Sequence, residues 1–228
     1  MKIIGLIGGM SWESSLEYYR VMNETVKERL GGLHSAKLLM ASVDFAEIRE
    51  LMLADDWAGA GERLANAART LEKGGADFIV IGTNTMHKVA PAVEAAISIP
   101  LLHIADATAD AVQGKRLKRI GLLGTAFTME EDFYTGKLAG RGLEVLVPDA
   151  EDRKLIDRVI FDEMCKGIFS ADARKEFLRI IGELTGQGAE GIVLGCTEIG
   201  LLIKSGDTDV PLFDTCFIHA ARAVDAAL

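Results

Sequence analysis

The chain has 228 residues, of which 49% are apolar and 26% are charged, and its formal net charge at pH 7 is −9. This composition is typical of a globular protein that buries a substantial core, and it argues against disorder. The acidic balance argues against the basic face that nucleic acid binding requires, so no nucleic acid partner is expected.

Three further classes are disfavoured by the residues themselves. The cysteines, Cys165, Cys196 and Cys216, form neither a CxxC pair nor an even-numbered framework, so a reducing cytoplasm is expected. No apolar run approaches the roughly 20 residues of a membrane span, and the four histidines lack zinc-ligand spacing. The N-terminal stretch MKIIGLIGGM is interpreted as a buried first strand rather than a signal peptide, because no small-residue cleavage site follows it.

Apolar, β-rich runs alternate with helical patterns along the whole chain. The predicted strands cover about 3–7, 37–43, 77–82 and 100–104 in the first half, then 119–123, 143–147, 190–195 and 210–213 in the second. Strands that are apolar throughout and separated by helices predict parallel sheets covered on both faces.

The first predicted helix lies in SWESSLEYYRVMNETVKERLGG. It has a serine N-cap, apolar residues that recur at helical spacing, and a Gly-Gly stop. Those apolar residues occupy positions 16, 19, 22, 26 and 30.

Three segments of the first half recur in the same order in the second half. IGLIG at 4–8 matches IGLLG at 120–124, GADFIVIGTNTM at 75–86 matches GAEGIVLGCTEI at 188–199, and IPLLHI at 99–104 matches VPLFDT at 210–215. This predicts an internal duplication. We expect an α/β fold of two pseudo-symmetric, doubly wound parallel-sheet lobes, 1–104 and 105–214, with a C-terminal helix at 215–228 that packs on the first lobe.

Polar residues follow the predicted strands in GGMS at 8–11, GTNT at 82–85, GTAFT at 124–128 and GCTE at 195–198. Ligands of doubly wound sheets bind beyond the carboxyl ends of the strands. In the internal overlay Cys196 falls on Thr83. If the two lobes face each other, positions 83 and 196 lie on opposite sides of one cleft.

Each candidate residue also has a purely structural interpretation. Cys196 is either a small buried hydrophobe or a thiolate stabilised by the amides and dipole of a following helix. Cys165 and Cys216 fall inside helical patterns and are interpreted as structural. His87 and His103 have no identifiable partner and are also treated as structural.

The polar residues beside Cys196 and Thr83 present the same choice. Thr83, Asn84 and Thr85 either cap a helix or present a turn whose amides bind a carboxylate, and Thr197 and Glu198 share that duality. Lys166 is either a solvated lysine at a helix end or a counter-ion for a substrate carboxylate. No phosphate-binding glycine motif occurs, so nucleotide binding is weakly supported.

Together GLIGGMSWESS, SVDF, GTNTMHK, HIADAT, LLGTAFTM and GCTEIGLL resemble the aspartate/glutamate racemase family over essentially the whole chain. The resemblance implies a cofactor-independent amino-acid racemase, usually a dimer, with its active site in the cleft between two lobes. In the family pattern each lobe supplies one cysteine, and the two flank the substrate's α-carbon. Inverting a stereocentre through a planar carbanion needs a base on one face and an acid on the other, which a two-fold related pair supplies.

The resemblance assigns roles residue by residue. Cys196 matches the second catalytic cysteine, whereas Thr83 stands in the place of the first, and a hydroxyl is a far weaker acid than a thiol. The substrate-binding positions implied are Met10, Asn84, Thr85, Lys166, Thr197 and Glu198, with Glu198 expected to orient the Cys196 thiol. The family often carries an arginine after the second strand for a side-chain carboxylate, and Arg49 is out of register with it.

Two alternatives stay open at this stage. One is a single-cysteine enzyme of the same superfamily, similar to arylmalonate decarboxylase or maleate isomerase, which would act on a substrate without an amino group. The other is a non-catalytic protein that binds a small ligand between two lobes. Such a binding protein would not need the cysteine of GCTE.

Overall fold

The computed structural model describes residues 1–228, and the chain folds into two compact units. Unit 1 comprises Met1–Ile104 together with His219–Leu228, and unit 2 comprises Ala105–Ile218. All eight predicted strands are present, four in each unit. None of the helices combines the length and apolar character that crossing a bilayer requires.

Unit 1 is built on a four-stranded parallel sheet. Its elements are β1 (Ile4–Gly8), α1 (Trp12–Leu30), β2 (Leu38–Ser42), α2 (Phe45–Leu53), α3 (Trp57–Lys73), β3 (Phe78–Ile81), a 3-10 helix (Thr85–Val89), α4 (Ala90–Glu94) and β4 (Leu101–Leu102). The strand order is β2-β1-β3-β4. The chain reverses its direction across the sheet between β1 and β3, and right-handed crossovers then place helices on both faces. The topological switch point of unit 1 therefore lies between β1 and β3.

Unit 2 repeats this topology. Its elements are α5 (Ile104–Gly114), β5 (Arg119–Gly124), α6 (Ala126–Glu130), α7 (Asp132–Gly140), β6 (Glu144–Leu146), α8 (Ala150–Asp162), a 3-10 helix (Met164–Lys166), α9 (Ala171–Gly186), β7 (Gly191–Gly195), α10 (Ile199–Leu202) and β8 (Leu212–Asp214), and they are followed by α11 (Thr215–Ala227). The strand order is β6-β5-β7-β8, again all parallel. The equivalent switch point lies between β5 and β7.

The central strands of both sheets are buried, as their apolar runs predict, except for Arg119 at the start of β5. Every residue of β1, β3 and β7 is buried, whereas residues of the edge strands β2 and β6 are half-buried or exposed. The doubly wound α/β fold expected from the sequence is thus confirmed.

Helix α1 begins and ends where its caps predict. The side chain of Ser11 accepts a hydrogen bond from the Ser14 amide, and Gly31 ends the helix with a φ of 69°. The predicted apolar face was only partly right, because Met22 is buried but Leu16 is exposed. The other positions divide in the same way, with Val26 buried and Tyr19 and Leu30 exposed.

The orientation of α1, which leaves Leu16 and Tyr19 exposed, follows from a contact in its first turn. The Ser15 hydroxyl accepts a hydrogen bond of 2.7 Å from the Gly9 amide, just beyond β1. A Cβ at Gly8 would lie 2.7 Å from the same oxygen, so the helix approaches the strand through Ser15 rather than through a large apolar residue. The buried face is therefore formed partly by serine, and apolar side chains remain on the outside.

Most of helix α11 belongs to unit 1, although its first four residues belong to unit 2. The Lys2 amide donates to the Ala227 carbonyl at 2.8 Å, and Arg29 pairs with Asp225. His219 lies between the Tyr18 hydroxyl and the backbone of β4. These contacts join the C-terminal residues to the strands and to the first helix of unit 1.

Candidate active site

Two short turns carry most of the candidate residues, one at the switch point of each unit. The Thr83 turn, residues 82–85, follows β3, and the Cys196 turn, residues 195–198, follows β7. Thr83 and Cys196 are each only 9% exposed. Each turn thus holds its candidate residues where doubly wound folds place ligands.

The Cys196 turn is organised around a buried carboxylate. The Cys196 thiol donates a hydrogen bond to Oε2 of Glu198 at 2.9 Å. The Thr197 hydroxyl donates to the same oxygen at 3.0 Å. Glu198 is the N-cap residue of α10, but its side chain makes no capping bond, so the capping interpretation of this residue is wrong. The structure brings Cys196, Thr197 and Glu198 together as one hydrogen-bonded group.

The protonation of Cys196 differs from the sequence expectation. Burial, followed by the negative charge of Glu198 and the proximity of Cys165, raises the pKa of the Cys196 thiol well above its usual range. A helix dipole was expected to have the opposite effect, but α10 has only four residues and offers little dipole. The resting group is therefore a thiol, with a carboxylate already in contact to accept its proton.

A glycine closes the back of the Cys196 turn. A Cβ on Gly200 would lie 2.1 Å from Oδ2 of Asp214, the last residue of β8. Only glycine lets the carboxylate approach this closely. Just before the turn, the Leu194 carbonyl of β7 accepts a hydrogen bond of 2.7 Å from the hydroxyl of Thr215, the first residue of α11.

The Thr83 turn presents a different set of groups. The Thr83 amide donates to the Ile81 carbonyl at 2.9 Å, which folds the chain sharply after β3. Asn84 begins the following 3-10 helix without a side-chain capping bond, which removes the capping interpretation for this residue. Thr85 and Asn84 are both buried.

Met10 lies at the end of the neighbouring strand. It follows Gly9, which has a φ of 90° and whose Cβ would meet the Val43 carbonyl at 2.2 Å, so only glycine fits there. The Met10 side chain is buried. Met10 and the Thr83 turn therefore follow the two neighbouring strands, β1 and β3, between which the switch point of unit 1 lies.

His87, which the sequence interpretation treated as structural, is bonded directly to the Thr83 turn. Its Nδ1 lies 2.7 Å from the Thr83 carbonyl oxygen, and the Ile104 amide donates to its Nε2 at 3.2 Å. Burial, followed by the neighbouring imidazoles of His103 and His219, holds the pKa of His87 well below its usual range. The sequence signal that could have indicated this contact is that His87 follows Thr83 by four residues, about one helical turn.

Lys166 lies in the surface of unit 2. Its side chain is 61% exposed and pairs with Asp162 at 3.6 Å, one helical turn earlier. Cys165 beside it is half-buried, and Cys216 is buried in α11. No group of three or more His, Cys, Asp or Glu side chains is arranged to hold a metal ion.

A family model described as Asp/Glu/Hydantoin racemase matches residues 7–223. The chain belongs to this racemase family. A crystal structure of a candidate Asp/Glu racemase from Yersinia pestis is 53% identical, with a TM-score of 0.92, and covers 100% of this chain and 99% of that one.

Two further relatives support the family assignment. The structure of an aspartate racemase homologue from Pyrococcus horikoshii OT3 is 36% identical, with a TM-score of 0.86 and coverage of 100% and 99% of the two chains. The broad specificity amino-acid racemase RacX of Bacillus subtilis is 26% identical over 165 residues, 72% of this racemase-family chain and 71% of RacX. The resemblance inferred from the sequence motifs is confirmed.

Proposed function

We propose that this protein racemises an amino acid without a cofactor, by transfer of the α-proton between Cys196 on one face of the substrate and Thr83 on the other. Aspartate, glutamate or a related amino acid is the proposed substrate, which the names of the relatives support. The observation that carries the proposal is the buried hydrogen bond from the Cys196 thiol to Glu198. A thiol paired with a carboxylate is a group that can both lose and return a proton.

The Cys196 side of the reaction follows from that bond. Glu198 takes the thiol proton as the substrate approaches, and the resulting thiolate takes the α-proton and becomes a thiol again. In the reverse direction the thiol gives its proton to the carbanion, and the thiolate that remains is reprotonated from Glu198. The raised pKa of Cys196 suits this sequence, because a high pKa makes its thiolate a stronger base once formed.

The Thr83 side has no thiol. In the proposed reaction its hydroxyl donates a proton to the carbanion from the opposite face and is reprotonated from solvent. A hydroxyl is poorly basic at neutral pH, so removal of the α-proton from this face is the slow direction. The equilibrium between the free enantiomers remains one to one, and the asymmetry falls on rates and binding.

The remaining candidates are proposed to bind the substrate. Asn84, Thr85 and Thr197 are proposed to hold its α-carboxylate and amine, with Met10 packing beside them. The absence of capping bonds from the Asn84 and Glu198 side chains supports a role other than helix capping. Lys166 is proposed to pair with a side-chain carboxylate, because its ammonium group is exposed and its bond to Asp162 is long.

The test is incubation of the protein in deuterated water with L- and D-aspartate, L- and D-glutamate and a neutral amino acid, without added cofactor. Loss of the α-proton signal for at least one pair is expected in the native protein, and Cys196→Ser should remove essentially all of it. Cys216→Ala, which removes a buried thiol elsewhere, is the matched control. Exchange that survives Cys196→Ser, or absence of exchange in the native protein, contradicts the proposal.

We further propose that the protein is a homodimer formed through α1. Trp12, Leu16 and Tyr19 lie one turn apart on this helix and are 66%, 56% and 52% exposed. The first turn of α1 carries an acidic residue and the last turn carries Lys27 and Arg29, so two antiparallel copies would match opposite charges. Light scattering should show a dimer for the native protein and a monomer for Leu16→Glu, and unchanged mass in the variant would exclude this surface.

A further inference from the structure

The carbonyl groups of Thr83 and Cys196 are held by different kinds of donor. In unit 2 the backbone amide of Ile199 donates to the Cys196 carbonyl at 3.1 Å. In unit 1 the Thr83 carbonyl oxygen lies 2.7 Å from Nδ1 of the His87 side chain. The position of the Thr83 turn therefore depends on a side chain, whereas the corresponding bond at Cys196 is made by the backbone.

The hydrogen bonds of His87 define its tautomer. The Ile104 amide can only donate, so Nε2 of His87 carries a lone pair and Nδ1 carries the proton that goes to the Thr83 carbonyl. The ring is 2% exposed and uses both nitrogens. It is a neutral imidazole that bridges the turn after β3 and the chain after β4.

The ring is held in place by two other imidazoles. His103 lies with its ring centroid 4.4 Å from that of His87, and His219 lies at 5.8 Å. His219 is fixed in turn, because its Nε2 donates to the Leu102 carbonyl and its Nδ1 accepts from the Tyr18 hydroxyl, both at 2.8 Å. His87 therefore has little freedom to change rotamer without disturbing its neighbours.

The internal overlay shows that this arrangement is specific to unit 1. His87 falls on Gly200 and His103 falls on Asp214. Both pairs are in contact, since a Cβ on Gly200 would meet the Asp214 carboxylate at 2.1 Å. At the position equivalent to His87, unit 2 has Gly200, which carries no side chain, and the Asp214 carboxylate occupies the space that a Cβ would need.

We propose that His87 is a positioning residue that holds Thr83 for proton transfer on its face of the substrate. This inference rests on the proposed racemase function. A hydroxyl that is a weak acid and a weak base depends strongly on its placement, and a displacement of about 1 Å can cost on the order of 100-fold in rate. His87 acts through the backbone of Thr83 and makes no contact with Cys196 in the proposed reaction.

The test compares initial α-proton exchange rates of L- and D-aspartate in deuterated water for the native protein, His87→Leu and His87→Asn. Leucine removes both hydrogen bonds of the imidazole. Asparagine keeps an N–H donor near the position of Nδ1. The exposed His34→Asn is the matched control.

The enantiomer that the native protein exchanges slowly is the one assigned to Thr83. His87→Leu should lower its exchange by on the order of 100-fold while the fast enantiomer keeps its rate, and His87→Asn should restore most of the loss. An equal loss for both enantiomers, or no loss for either, overturns the positioning role. If His87→Leu does not fold, as judged by circular dichroism, His87→Asn decides, with a partial loss expected for the slow enantiomer and none for the fast one. A native protein that exchanges neither enantiomer refutes the proposed function instead.

Discussion

The two turns that end β3 and β7 occupy equivalent places in equivalent sheets, yet they differ in chemistry. The Cys196 turn has a thiol bonded to a buried carboxylate, and its backbone holds the Cys196 carbonyl. The Thr83 turn has a hydroxyl, and an imidazole holds the Thr83 carbonyl. All four histidines of the chain belong to unit 1. The two sheets share the same strand order, whereas the side chains at the ends of β3 and β7 differ.

After Cys196→Ser, the largest expected effect of a substitution that tests this contrast is at Glu198. Glu198→Gln removes the base that accepts the Cys196 proton, so exchange of the fast enantiomer should fall by about 1,000-fold. Glu198→Asp should recover part of the rate, since it retains a carboxylate. Deuterium exchange measures both, and a native rate in Glu198→Gln would show that Cys196 loses its proton to another group.

The histidines of unit 1 predict a loss of stability in acid. Burial lowers the pKa of His219 to about 4, whereas in the unfolded chain it returns to about 6.5. Between these values the unfolded state binds more protons, so the stabilisation present above pH 6.5 is lost as the pH falls towards 4. The loss from His219 amounts to about 3 kcal/mol, and the lowered pKa of His87 acts in the same direction.

Urea unfolding at pH 7.5 and at pH 4.5 measures this effect. His219→Gln keeps a donor for the Leu102 carbonyl but does not titrate, so its free energy of unfolding should fall less between the two pH values than that of the native protein. His34→Gln, at an exposed position, should show the native pH dependence. Equal pH dependence in native protein and His219→Gln would mean that other groups set the acid sensitivity.

Placing a thiol on both faces should reduce the contrast between the turns. Thr83→Cys supplies a stronger base on the slow face, so the ratio of L to D exchange rates should move towards one by about tenfold. The substitution replaces a β-branched side chain in a buried turn, and a modest loss of thermal stability is expected alongside. If the native protein already exchanges the α-protons of the two enantiomers at equal rates, Thr83 does not limit either direction.

The smallest expected effect concerns Lys166. Lys166→Ala should raise KM for aspartate or glutamate by about threefold, the value of a solvent-exposed ion pair, and leave KM for a neutral amino acid unchanged. Lys154→Ala is the matched control, because Lys154 is also exposed and pairs with an acidic neighbour on its own helix. Equal changes for acidic and neutral substrates would identify Lys166 as a surface lysine only.

The fold could be predicted from the sequence because buried strands produce uninterrupted apolar runs and because the two halves share similar segments. The runs around β1, β3 and β7 are apolar without interruption, and three segments repeat in order. The face of α1 was predicted less well, because the packing of Ser15 against Gly8 and Gly9 follows from backbone approach rather than from hydrophobicity. Apolar spacing alone does not reveal where a helix must come closest to a strand.

The reactive side chains at the two turns could be named from the sequence, but their protonation state could not. Cys196, Glu198 and the contact between them could be named from the motif, yet the raised pKa of the thiol follows first from its burial, which the motif does not give. His87 was overlooked because its partners are a backbone carbonyl and a backbone amide, at residues 83 and 104. Side chains that bond to backbone groups leave no pattern of paired residue types in the sequence.

The close approach of Asp214 to Gly200 also restricts which residues can occupy positions 200 and 214. Every substitution of Gly200 adds a Cβ that displaces the carboxylate. A histidine equivalent to His87 therefore cannot occupy position 200 unless residue 214 changes as well. An imidazole at position 200 therefore requires two changes, at Gly200 and at Asp214, and a single substitution at either position does not reproduce the arrangement of unit 1.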